Sequence, residues 1–211
     1  MLFPDLSRQP TDYFEKLYHG RGYRRIAGID EAGRGPLAGP VVAAAVVLPE
    51  EGLDLKLFDS KQIPSKKRDE LYQHILERAL GIGIGIVSPH EIDRLNILQA
   101  TLKAMVQAVE TLPFEPDLLL IDGRHRLPLS MPQQPLCKGD RTCNSIAAAS
   151  IVAKVTRDGL MMEGHRRYPQ YNFAKHKGYG TAEHRKAIER YGVCELHRKT
   201  FRGVKEYLRE A

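Results

Sequence analysis

The sequence predicts an α/β fold, on three observations. Short apolar runs bounded by turn residues alternate with longer segments of helical periodicity. Val41 to Leu48 is apolar at every position, rich in valine and bounded by prolines, so it reads as a central strand. Gly81-Ile82-Gly83-Ile84-Gly85-Ile86 alternates with period two, which is a strand with isoleucines on one face and something packed very close to its glycine face.

The elements follow in order. Thr11 to His19 is a short helix with Phe14, Leu17 and Tyr18 inward. A strand from about Tyr23 to Asp30 leads into the turn chemistry of Gly33, Gly35, Pro36, Gly39 and Pro40. After the valine strand, Pro64 to Leu80 is a helix with Leu71, Ile75 and Ala79 on one face. Ser88-Pro89-His90-Glu91 matches a capping box with proline at the first helical position, and Asn96 starts a further helix carrying the stripe Leu98, Leu102, Met105, Val106, Val109 and Leu112. Asp117 to Asp122 is a strand ending in Asp-Gly, and Gln134 to Lys138 a short fifth one. Asn144 to His165 is helical, with small residues on nearly every face, so it can lie close against a sheet. Ala182 to Tyr191 is a helix stopped by Gly192, and Val204 to Arg209 a terminal one.

Ile26-Ala27-Gly28-Ile29-Asp30-Glu31 sets two acids side by side at the end of an apolar run, where repulsion and desolvation both oppose ionisation. A cation resolves that cost. Asp122 ends the leucine-rich strand, and Asp140 follows the short strand just before the small-residue helix. Taken singly, Asp122 suits a turn and Asp140 a helix cap. Together with the Asp30-Glu31 pair, which capping does not explain, they can converge at one sheet edge. Hard divalent ions such as Mg²⁺ take carboxylate oxygens, and two of them, ~4 Å apart, clamp the attacking and leaving oxygens of a phosphodiester. Asp158 reads as an ion-pair partner of Arg157 or another basic neighbour.

Composition narrows the class. The chain has 211 residues, 42% hydrophobic and 27% charged, which suits one soluble domain. No apolar run reaches bilayer length and the N-terminus does not resemble a signal peptide. Three scattered cysteines fit reduced thiols, so a cytoplasmic protein with no membrane association is expected. From His165 to Ala211 there are 12 Lys and Arg against 5 Glu, interleaved with Tyr168, Tyr171, Phe173, Tyr179 and Tyr191. That stretch suits a polyanion with stackable rings, or else a solvated basic face. Its histidines, His165, His176, His184 and His197, fit a phosphate-facing surface better than zinc, because Cys194-x-x-His197 has no second compact pair.

At these residues the chain resembles bacterial ribonuclease HII, from about Tyr23 to Phe201. The resemblance rests on Gly28-Ile29-Asp30-Glu31-Ala32-Gly33-Arg34-Gly35-Pro36, Asp59-Ser60-Lys61, Ile121-Asp122-Gly123, Lys138-Gly139-Asp140, the Ser145–Asp158 helix and His176-Lys177-Gly178-Tyr179-Gly180-Thr181. It implies a ribonuclease H-like fold: a mixed five-stranded sheet flanked by helices, with a helical C-terminal extension. The 211 residues would form a single domain, with 1–22 an N-terminal helical extension and about 165–211 the basic helical part. It implies hydrolysis of the RNA strand of RNA–DNA hybrids and nicking 5′ of a ribonucleotide embedded in duplex DNA. The products would be 3′-hydroxyl and 5′-phosphate ends, made by a monomer with Mg²⁺ or Mn²⁺, two ions during catalysis.

Carried over by position, the catalytic and metal-binding acids are Asp30, Glu31, Asp122 and Asp140. The ribose-reading loop is Gly33-Arg34-Gly35, where side chains on the glycines would block backbone approach to the sugar. The sugar-stacking tyrosine is Tyr179, and Lys61 and Lys154 position phosphates. Arg141-Thr142-Cys143-Asn144 departs from the family, which more often has small residues after the last Asp. The related ribonuclease HIII carries an extra N-terminal domain, for which the 29 residues before Asp30 leave no room. A non-catalytic nucleic-acid-binding module would need the basic face but not four convergent acids. A P-loop is excluded, because Gly28 to Gly35 lacks the Gly-Lys-Ser/Thr ending.

Overall fold

The computed structural model describes residues 11–53 and 64–208. Five strands form one sheet: β1 (Ile26–Ala32), β2 (Val41–Val47), β3 (Gly81–Val87), β4 (Leu118–Asp122) and β5 (Gln133–Leu136). Their order is β3-β2-β1-β4-β5, with β1 antiparallel to β2 and parallel to β4. β2 pairs antiparallel with β3, and β4 parallel with β5. The sheet is therefore mixed and flanked by helices, as expected.

The helices are α1 (Tyr13–His19), α2 (Ser65–Arg78), α3 (Pro89–Leu95), α4 (Ile97–Glu110), α5 (Asn144–Arg167), α6 (Phe173–His176) and α7 (Ala182–Tyr191). On one side of the sheet, Ala43 and Ala45 of β2 and Ala27 and Ile29 of β1 pack against Ala104, Met105 and Ala108 of α4. On the other, Ala44 and Val46 meet Leu71 and Ile75 of α2 and the alanines of α5. Leu37, Phe173 and Ile188 belong to a third buried group under the C-terminal part.

Close approach explains the small residues. A Cβ added to Gly85 would lie 1.9 Å from the Ala104 carbonyl oxygen, so α4 rests directly on the glycine face of β3. A Cβ on Gly28 would lie 2.1 Å from the Ser145 backbone, which sets α5 equally close to β1. Glycine is required at both places because backbone occupies the side-chain space.

The helix starts are capped as the sequence predicts. Ser88 Oγ accepts the Glu91 N–H at 3.2 Å, and Asn96 Oδ1 accepts those of Leu98 and Gln99 at 3.0 and 3.1 Å. The first strand starts later than expected. The N–H groups of Arg24 and Arg25 donate to the Asp117 carboxylate at 2.9 and 3.0 Å, and the strand begins at Ile26. It also runs past Asp30, so Glu31 lies inside β1 opposite Ala43. Fifth-strand pairing ends at Leu136, and where the sequence predicts a terminal helix the described residues hold a 3₁₀ turn, Lys205–Tyr207, with Arg209 lying outside them. α5 continues to Arg167.

Candidate active site

β1 and β4 are neighbours, and Ile29 stands opposite Ile121. The next residue on each strand is therefore an acid, Asp30 and Asp122. Oxygen atoms of Asp30, Glu31 and Asp122 all lie within 4.8 Å of one another. Asp30 is only 2% exposed. Its Oδ1 accepts the Glu31 N–H at 2.7 Å, while Oδ2 is buried with no hydrogen-bond partner. Burial drives the Asp30 carboxyl well above the usual carboxylate range, and the charges of Glu31 and Asp122 push the same way. The Ser150 side chain and the Glu31 N–H oppose that shift.

Asp140 is buried in a 3₁₀ turn, Gly139–Arg141, ahead of α5, and it is not one of the three clustered acids. It is tied to them through backbone, because Asp122 Oδ1 accepts the Gly139 N–H at 2.7 Å. The turn is held from behind by α1: Glu15 Oε1 accepts the Ser145 N–H at 2.7 Å, and the Asn144 N–H donates to the Thr11 carbonyl at 3.0 Å.

Beside Glu31 lies a groove of about 200 Å³, lined by Gly33, Arg34, Gly35, Ser150, Lys154, Arg157 and Tyr179. The predicted sugar loop, tyrosine and one phosphate lysine thus share one cavity with an acid. Tyr179 is 46% exposed, with its ring 3.8 Å from the position of a Cβ on Gly35. Lys61 lies outside the described residues. Lys154 is half-buried and donates to Asp158 at 2.6 Å, while Asp158 also faces Arg68 at 3.9 Å. Burial lowers the Lys154 pKa and the Asp158 contact opposes this. A second cavity of about 200 Å³ lies on the β4 side, with Arg124 and His125 above Leu98 and Met105. Glu31 and Arg34, paired at 3.2 Å, line both cavities.

Asp158 takes the second of its expected kinds of partner, basic neighbours, in Lys154 and Arg68. Arg157 turns inward instead and donates to the carbonyls of Pro40, Lys177 and Ala38 at 3.0, 3.0 and 3.1 Å. The expectation for the histidines is corrected. His176, His184 and His197 do not face a phosphate; they are buried among Phe173 and Tyr171. Arg198 is equally buried, donating to the carbonyls of Gly33, Arg34, Gly39 and Pro40. The two guanidiniums pin the Gly33–Pro40 loop from beneath. Gly33, at φ +97°, would set a Cβ 2.0 Å from Arg157 Nε, so glycine is required there by the support underneath.

The mixed five-stranded sheet in this order, flanked by helices and with acids on its adjacent central strands, is a ribonuclease H-like fold. The ribonuclease HII family model matches residues 27–204, and the chain belongs to that family. It is 57% identical over 208 residues to ribonuclease HII of Syntrophotalea carbinolica, covering 98% of this chain and 99% of the relative. Among solved structures it is similar to ribonuclease H2 of Pyrococcus horikoshii, at a TM-score of 0.73 and 24% identity, over 87% of this chain and 96% of that one. It is also similar to Bst-RNase HIII in complex with Mn²⁺, at a TM-score of 0.66 and 19% identity, over 90% of this chain and 70% of that one. Family membership makes the protein an endoribonuclease acting on RNA–DNA hybrids. Among the described residues no helix is long and apolar enough to cross a membrane.

Proposed function

We propose that the protein hydrolyses RNA in hybrids and nicks duplex DNA on the 5′ side of a single embedded ribonucleotide, using two divalent ions held by Asp30, Glu31, Asp122 and Asp140. The observation that carries the reading is the orphaned Asp30 Oδ2, buried within a cluster of three carboxylates. Such a donor set fits a hard cation. When bound, the ions supply Lewis-acid charge to the attacking and leaving oxygens of an in-line displacement. The Mn²⁺ bound by Bst-RNase HIII is in keeping with this choice of ion.

The chain's own residues then have distinct tasks. Asp30 and Asp122 fix the cluster from two paired strands, and the Gly139 N–H orients Asp122. Arg34 holds Glu31 at the groove edge. The backbone of Gly33-Arg34-Gly35 reads the 2′-hydroxyl, which both donates and accepts. Tyr179, across the groove from Gly35, stacks on the next sugar and favours one without the extra oxygen. Lys154 and Lys61 hold flanking phosphates without reading bases.

The test is cleavage mapping on a duplex containing one ribonucleotide. The wild-type protein should nick once, 5′ of it, leaving a 3′-hydroxyl. Tyr179→Ala should lose most of this cut. Degradation of long hybrid with no cut at the single ribonucleotide would refute the recognition half and leave the acid cluster standing.

A further inference from the structure

Three of the chain's eight histidines take no part in that chemistry, yet all three are buried within the C-terminal part. Their hydrogen bonds fix where each proton sits. A carbonyl oxygen only accepts and a peptide N–H only donates, so each contact assigns one ring nitrogen. His176 Nε2 lies 2.7 Å from the Tyr171 carbonyl, and its Nδ1 faces the Gly178 N–H at 3.2 Å. It is therefore neutral with the proton on Nε2. His184 Nδ1 lies 2.9 Å from the Tyr179 carbonyl and must carry a proton. His197 Nδ1 accepts the Cys194 N–H at 2.9 Å. The remaining contact, His197 Nε2 to His184 Nε2 at 3.1 Å, then has a single solution: His197 donates and His184 accepts.

The relay runs in one direction, from the Cys194 N–H through two imidazoles to the carbonyl of Tyr179. His176 stacks on His184 with ring centroids 4.4 Å apart. Around Tyr179 the backbone is held at every polar group of residues 178 and 179. The Gly178 N–H goes to His176, and the Gly178 carbonyl takes the Leu37 N–H at 2.9 Å. The Tyr179 N–H goes to the His176 carbonyl at 2.9 Å, and the Tyr179 carbonyl takes both His184 and the Thr181 N–H. Only the side chain of Tyr179 is left free, and it lines the groove.

We propose that His176, His184 and His197 are positioning residues for substrate recognition: a neutral, proton-ordered imidazole relay that fixes the Tyr179 backbone so that its ring meets the sugar in one pose. The proposal rests on the reading of Tyr179 given above. A proton added to His184 Nε2 would set two donors against each other across the central contact, and one added to His197 Nδ1 would face the Cys194 N–H, so the relay works only uncharged. Burial is the main cause that suits that state at all three rings. Of the charged groups facing them, Lys175 beside His176 and Arg185 beside His184 act the same way, while Glu183 beside His176 opposes it; His197 faces the other two histidines. Cys194, beside His197, is kept a neutral thiol by burial, which pushes its pKa to about 11.

Two measurements on the full chain decide it. Nitrogen-15 spectra of the wild-type histidines at pH 6, where a free imidazole is mostly charged, should show three neutral rings. His184 should carry its proton on Nδ1, and the other two on Nε2. A charged or exchanging His184 at that pH overturns the relay, and this arm needs no variant. The second measurement is kcat/KM on the single-ribonucleotide duplex relative to uniform hybrid. His184→Phe keeps ring volume without the bonds and should lower that ratio by about ten-fold or more, because small misplacements of a positioning group cost that much. His184→Asn, which keeps a donor near the Nδ1 position, should recover much of it. If Tyr179→Ala lowers the ratio and His184→Phe leaves it at the wild-type value, the relay is overturned and the tyrosine reading stands. If Tyr179→Ala itself leaves the ratio unchanged, the tyrosine reading falls and the relay's role falls with it.

Discussion

Asp30 and Arg198 are both buried, at 2% and 0% exposure, yet their surroundings are opposite in kind. Asp30 stands beside two more acids with one oxygen unpartnered. Arg198 and its neighbour Arg157 carry charges of one sign too, but backbone carbonyls absorb their donors. Burial and Arg157 lower the Arg198 pKa to about 9, which still leaves it charged at neutrality. One region leaves a buried polar atom unmet; the other is complete as folded. An unmet polar group at the end of a buried strand is therefore a pointer to a ligand, while buried charge alone is not.

The largest expected effect comes from removing the unmet group. Asp30→Asn should lower Mg²⁺-dependent cleavage by about a thousand-fold or more, since ion-held charge supplies several kcal/mol of transition-state stabilisation. The same change should raise the melting temperature of the chelated protein. The raised Asp30 pKa means that ionisation costs stability as pH rises above the unfolded value, and asparagine does not ionise. A melting temperature that falls in chelator would place Asp30 in a structural role. In the complete region the sign reverses. Arg198→Ala should destabilise the fold by on the order of 3 kcal/mol, because several carbonyls lose a charged donor at once, as measured by urea unfolding.

The pH dependence separates the two regions further. Burial depresses His184 and His197 to about 4 in the fold. Their contribution is fully present above the unfolded value of about 6.5 and is lost as pH falls through the folded value. Asp30 contributes in the opposite direction. Melting temperature should hold from pH 8 to 6.5 and fall towards 4, and His197→Gln should flatten that fall. Because Asp30 partly offsets the fall, the comparison is with the variant: a gap between wild type and His197→Gln that does not change from pH 6.5 to 4 would contradict the assignment. The smallest effect is at the surface. Lys199→Ala should reduce the salt slope of hybrid binding by about one unit and leave stability unchanged; Arg198 cannot report on this, because it is buried.

What was readable in the sequence follows the same division. Elements with a local signature came through: the glycine face of β3, the Ser88 and Asn96 caps, the acids closing β1 and β4. The groove residues Gly33, Arg34, Gly35, Lys154 and Tyr179, singled out by family motifs far apart in the chain, line one cavity. The carbonyl-seeking arginines did not come through. Arg157 has Asp158 as its chain neighbour, but its bond to the Pro40 carbonyl spans 117 positions. The histidines looked superficial because Lys, Arg and Tyr surround them, although Tyr171, Phe173 and Ile188 in the same stretch build a core. α6 has four residues, too few for a period to register.

The contact between Glu15 and the start of α5 bears on where the enzyme can be trimmed. The family match begins at residue 27, after α1 has ended. Cutting the chain there would look clean on any alignment. It would also remove the carboxylate that takes the Ser145 N–H and the Thr11 carbonyl that takes that of Asn144. Both anchors lie within five residues of Asp140. A shortened enzyme should keep most of its sheet, losing the Ile26 pairing and the Arg24 and Arg25 bonds to Asp117, but hold Asp140 loosely; on the metal site proposed above, its demand for metal should rise. The first helix and the residues just before it brace the start of α5 behind Asp140, so engineering that treats them as a disposable leader loosens a part of the proposed site that no local motif reveals.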